Sequence, residues 1–148
     1  MVHISYSCLV NLPIEEAWKI IGNFEDLSFV NKNIKCKITN YNNNPIHPIR
    51  AFQFGPVEIR EMLIAMYHDD NHRFLKYNFL QGFEGFKVDN YIATIHAYRI
   101  TESNQTLVVW EADFDLRKNE EGEKKKLEGL FDATTKMLAK TNRGNTKF

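Results

Sequence analysis

The spacing of hydrophobic and polar positions changes period twice along the chain. Residues 2 to 10 are rich in β-branched and aromatic types and predict a strand. Pro13 then opens a helix that carries Glu15 and Glu16 in its first turn. Ile14, Ala17, Trp18 and Ile21 lie on one face of that helix, Gly22 supplies the stop, and a second short helical turn is predicted over Glu25 to Phe29. From Ile34 to Leu116 the period is two. Turn signals at Asn42 to Pro48, Gly55-Pro56, Asp69 to Asn71, Gly82 to Gly85 and Ser103-Asn104 divide this stretch into six strands. Helical period returns from Glu121 to about Asn142, with Leu127, Leu130, Phe131, Thr134 and Leu138 on one stripe, and the tail Arg143 to Phe148 is expected to fray.

The order is strand, short helices, six successive strands and a long helix, which predicts an antiparallel α+β domain rather than βαβ units. With 148 residues the chain is one domain, 1–148. Seven strands about 4.8 Å apart span roughly 30 Å, whereas a helix with its side chains is about 10 Å across. One helix cannot cover such a face. Either the sheet curls around it and encloses a cavity, or a partner subunit covers the remainder, so the expected assembly is a monomer or a homodimer.

Strand periodicity assigns the inner face. In the last strand Val108, Trp110, Ala112, Phe114 and Leu116 alternate with Glu111, Asp113 and Asp115, and the apolar set is inside. In strand 57 to 67 the inner row is Val57, Ile59, Glu61, Leu63, Ala65 and Tyr67, and a carboxylate in such a row needs a partner. An even loop at Gly55-Pro56 sets Phe54 opposite Val57, Phe52 opposite Ile59 and Arg50 opposite Glu61. A three-residue loop at Asp69 to Asn71 puts Leu75, Tyr77 and Phe79 on the same face, with Tyr77 opposite Leu63 and diagonal to Glu61. Strand 88 to 100 admits two inner sets. The even loop at Ser103-Asn104 favours Tyr91, Ala93, Ile95 and Ala97, leaving His96 outside.

Composition narrows the function. Nineteen Lys plus Arg balance nineteen Asp plus Glu, so no global field draws the chain to nucleic acid or an anionic membrane. The longest apolar run, Met62 to Tyr67, is far short of the roughly 18 residues of a membrane span, and no integral membrane association is expected. The N-terminus lacks the basic and apolar regions of a secretion signal, so the expected location is the cytoplasm. Cys8 and Cys36 form no CxxC and are read as inert thiols, and Asn104-Gln105-Thr106 as hairpin chemistry rather than a used sequon. His68-Asp69-Asp70-Asn71-His72 resembles a metal cluster only superficially, because Asp and Asn there serve a turn. No HExxH, GxGxxG or GKS/T motif occurs, and neither metal nor other cofactor is expected. Lys124 to Lys126, opposite the apolar stripe of the last helix, are a solvated face.

Val10-x-x-Pro13-x-x-x-x-Trp18, Phe24, Arg50 before a Gly turn, Glu61-x-Leu63, Asp69-x-x-x-Arg73-x-x-x-Tyr77, Asn90-Tyr91 and Val109-Trp110-Glu111-Ala112-x-Phe114 together resemble the START-like, or SRPBCC, superfamily. Within it the likeness is to the polyketide cyclase/dehydrase and lipid transport group. The resemblance spans nearly the whole chain and implies a helix-grip, Bet v 1-like fold: a curved seven-stranded antiparallel sheet around a long C-terminal helix. It also implies a functional class, since members bind lipids, polyketides or other apolar molecules, some are cyclases, dehydratases or lyases, and others act as chaperone co-factors. Fold alone does not choose among these.

The expected function is binding or transport of a small hydrophobic or amphipathic molecule between the sheet and the last helix. Phe52, Leu63, Tyr77, Phe79, Tyr91, Trp110, Phe114, Leu127, Phe131 and Thr134 are the candidate contacts. The alternative is an enzyme in which Glu61 acts as general acid or base and Arg50 orients a carboxylate or enolate. A third reading is a protein-interaction module. As a structural feature alone, Arg50 and Glu61 would be an ion pair that satisfies two buried charges.

Overall fold

The computed structural model describes residues 1–81, 86–142 and 144. Its strands are β1 (Val2–Val10), β2 (Lys37–Asn40), β3 (Pro48–Phe54), β4 (Val57–His68), β5 (His72–Gln81), β6 (Val88–Ile100) and β7 (Gln105–Leu116), and its α-helices are α1 (Ile14–Ile21) and α2 (Gly122–Ala139). All neighbours are antiparallel in the order β1-β7-β6-β5-β4-β3-β2, so the chain runs as a meander from β2 to β7 and β1 closes against β7. This is the α+β helix-grip arrangement. The expected turn at Gly82 to Gly85, and the tail from Arg143 apart from Gly144, lie outside the described residues. Among the described residues no helix is long and apolar enough to cross a membrane.

Helix α2 lies against β1 and β7, burying Leu127, Phe131, Thr134, Thr135 and Leu138. The inner face beyond its reach is covered by the stretch between α1 and β2, where Phe24, Leu27, Phe29 and Ile34 are buried. A second helical turn was expected over Glu25 to Phe29, but the segment is a run of linked turns instead. Asn23, Asp26 and Asn31 accept hydrogen bonds through their side-chain oxygens from the backbone N–H two residues on, at 3.1, 2.8 and 2.9 Å. Such bonds offer the backbone a local alternative to the helix ladder. Helix α1 ends at Gly22, where the Trp18 indole occupies the space a side chain would need.

Register follows the expected turn geometry in most of the sheet. Arg50 pairs with Glu61, Phe52 with Ile59 and Phe54 with Val57 across the β3–β4 turn. Leu63 pairs with Tyr77 as expected, although His68 lies opposite Arg73 across a four-residue loop instead of the expected three, because a bulge in β4 restores the register. In β6 Tyr91, Ala93, Ile95 and Ala97 are buried, while His96 faces outward with Nε2 3.1 Å from Glu111. Strand β4 departs from expectation after Leu63. A bulge between Leu63 and Ala65 inserts Ile64, so Tyr67 moves to the outer face, opposite Phe74 and stacked on its ring at 5.7 Å. One extra residue inverts every later side chain, which is why neither Ala65 nor Tyr67 belongs to the buried inner row.

The segment His68 to His72 is a hairpin turn organised by one carboxylate. Asp69 accepts hydrogen bonds from the backbone N–H groups of Asn71 and His72, both at 2.7 Å, and from the Tyr67 hydroxyl at 2.6 Å. These donors, the Tyr67 hydroxyl foremost, hold the Asp69 carboxyl down to about 2. A depressed carboxyl favours the folded state above its ordinary value of 3.8 and loses that contribution as pH falls toward 2. Denaturation between these pH values should therefore be less steep in Asp69→Asn than in the wild type, as urea titrations at stepped pH would measure. Cys8 and Cys36 are free and half-buried; burial pushes the Cys8 thiol up to about 11 and also raises Cys36.

Candidate functional site

Strands β3 and β4 bring Arg50 and Glu61 together on the concave face, 3% and 5% exposed. Arg50 Nε donates to Glu61 Oε1 at 2.8 Å, and its Nη1 donates to the Phe24 carbonyl at 3.2 Å. The guanidinium is also sandwiched, with Cζ 4.3 Å from the centre of the Phe24 ring and 4.6 Å from that of Tyr77. Burial raises the Glu61 carboxyl above the ordinary range, and the Arg50 charge opposes that shift.

A second polar group stands beside this pair. Trp110 Nε1 donates to the Tyr77 hydroxyl oxygen at 3.0 Å, and Tyr91 is buried on the same face. Burial raises both phenols, so each stays protonated. The aromatic framework is stacked: Tyr91 lies on Phe79 at 4.2 Å, and Trp110 lies on Phe131 at 3.8 Å with its ring edge toward Phe29.

These side chains line a cavity of about 40 Å³ that opens through a mouth. Of the residues singled out from sequence, Glu61, Phe52, Tyr77, Phe79, Tyr91, Trp110 and Leu127 line it. Arg50 stands behind Glu61 and is not part of the wall. Four expected contacts are not on the wall either. Phe131 is fully buried under Trp110, and Phe114 is buried against Tyr91. Leu63 packs in the core at the Tyr77 register position, and Thr134 turns its hydroxyl back to the Leu130 carbonyl at 2.9 Å. The wall also includes Leu27, Val30, Ile34 and Phe86 from irregular segments, where no period marks a face, and Phe54 and Ile59 from the inner rows of β3 and β4.

A family model described as polyketide cyclase/dehydrase and lipid transport matches residues 1–142. The chain belongs to that family. No curated protein matches it in sequence. Among solved structures, this family member resembles the protein XoxI from Bacillus cereus, with 26% identity, a TM-score of 0.75 and 94% of each chain covered. An uncharacterised protein from Bacillus thuringiensis gives the same identity and TM-score, covering 93% of this chain and 96% of that one. A point mutant of norcoclaurine synthase from Thalictrum flavum, solved with a transition-state analogue, shares the fold at 19% identity and a TM-score of 0.63, covering 93% of each chain. The fold is thus shared with at least one enzyme.

Proposed function

We propose that the protein binds a small amphipathic molecule between the sheet and α2, its apolar body among the cavity aromatics and its polar group toward Glu61. The position of Glu61 carries this reading. A carboxylate on the wall of an otherwise apolar cavity, braced from behind by a guanidinium, is a convergent polar group of the kind that orients a ligand. Ligand pockets usually occupy about 300 to 1,000 Å³. At about 40 Å³ the cavity here is well below that range, which favours a compact molecule whose body extends into the mouth over a long enclosed acyl chain. Native mass spectrometry of freshly purified protein, followed by solvent extraction and titration with a hydrophobic fluorescent probe, tests the reading. A stoichiometric apolar adduct or saturable uptake supports it, and the absence of both refutes it.

The raised carboxyl of Glu61 favours a second reading, in which the same cavity carries out acid–base chemistry of the cyclase, dehydratase or lyase type. In that case Glu61→Gln should abolish turnover and leave ligand uptake nearly intact, whereas a simple carrier has no turnover to lose.

A further inference from the structure

The hydrogen bonds at the inner end of the cavity do not close among themselves. Trp110 Nε1–H is a donor only and is engaged by the Tyr77 oxygen. Tyr77 and Tyr91 each carry a hydroxyl proton, and Tyr77 uses its oxygen, not its proton, toward Trp110. Glu61 receives one hydrogen bond, from Arg50 to Oε1, and no other donor among the described residues reaches its carboxylate. Glu61, Tyr77 and Tyr91 all line the same cavity. A phenolic donor and a charged acceptor therefore face a shared space.

We propose that the ligand is an alcohol or phenol whose hydroxyl donates to Glu61 and accepts from a phenolic proton of Tyr77 or Tyr91. This rests on the reading of the cavity as a ligand site. The alternatives leave something unmatched. An ether or ketone accepts from the tyrosine but presents lone pairs to the carboxylate. A hydrocarbon leaves both polar groups without partners, and a carboxylate is repelled by Glu61. An ammonium satisfies Glu61 but leaves the phenolic proton orphaned and adds a cation near Arg50 in an apolar site. The cavity, about 40 Å³, is smaller than the roughly 150 Å³ that takes one benzene ring, so the hydroxyl-bearing end of the ligand enters it and the rest lies in the mouth.

The test is calorimetric titration of the wild-type protein with three compounds of matched shape: 4-ethylphenol, 4-ethylanisole and 4-ethyltoluene. A hydrogen bond to a charged group predicts that the phenol binds about tenfold tighter, or more, than the other two. In Glu61→Gln that preference should fall to about threefold or less, since the amide presents a donor in place of one acceptor oxygen. If the wild type binds all three within about threefold, or prefers the ether or the hydrocarbon, the hydroxyl assignment is overturned and the cavity reading stands. If none of the three binds saturably, both fall. The wild-type series decides the matter even if the variant fails to fold.

Discussion

Replacing Arg50 by alanine is expected to lower the free energy of unfolding by about 3 to 5 kcal/mol, the usual cost of leaving one member of a buried ion pair alone. Three losses coincide. Glu61, 5% exposed, keeps its carboxylate without the guanidinium; the Phe24 carbonyl loses its donor; and the Phe24 and Tyr77 rings lose the flat group between them. Arg50→Met combined with Glu61→Leu should recover most of the loss, because an apolar pair of similar volume leaves no charge unmatched. Urea unfolding of Arg50→Met, Glu61→Leu and the double variant measures the cycle. If Arg50→Ala costs under about 1 kcal/mol, in the range of an exposed pair, water reaches the site freely and the buried pairing described above is wrong.

Trp110→Ala should also cost about 3 to 5 kcal/mol, the range for removing a large aromatic side chain from a core. The indole is at once wall and core: it faces the cavity, stacks on Phe131 at 3.8 Å and holds the Tyr77 hydroxyl. Its removal should therefore also enlarge the cavity and change the affinity for a hydrophobic probe. A full stability loss with unchanged probe binding would mean that Trp110 belongs to the core alone and that ligands, if bound, sit elsewhere.

The buried pair was legible because a turn of even length fixes cross-strand partners by arithmetic, and Arg50 and Glu61 fall opposite each other across Gly55-Pro56. Tyr91 was legible from the even turn at Ser103-Asn104 rather than from its own strand, which admits two inner sets. Tyr77 stands where a three-residue turn at Asp69 to Asn71 would put it, although that turn holds four residues and the bulge at Ile64 makes up the difference. The bulge at Ile64 was not legible. Every residue from Met62 to Tyr67 is apolar, so no alternation exists there to reveal a change of face. The stretch Asn23 to Cys36 was equally opaque. Its Asn and Asp residues signal turns, but nothing local says that Phe24 reaches Arg50 or that Leu27, Val30 and Ile34 close the cavity. The same limit explains why Phe114, Phe131 and Thr134 were grouped with the ligand contacts: periodicity assigns a face, and only packing separates wall from filling.

The bulge has a colloidal consequence. Strand β3 pairs with β4 only as far as Met62, so the remaining residues of β4, through His68, have β5 on one side and no strand on the other. Met66 and Tyr67 are exposed there, at the end of the longest apolar run in the chain. A straight edge of that composition is a template on which another chain can add a strand. The extra residue bends and twists the strand where its partner ends, and it turns Tyr67 away to stack on Phe74. The irregularity that hides the strand's face from a sequence reading is thus also a guard against edge-to-edge polymerisation.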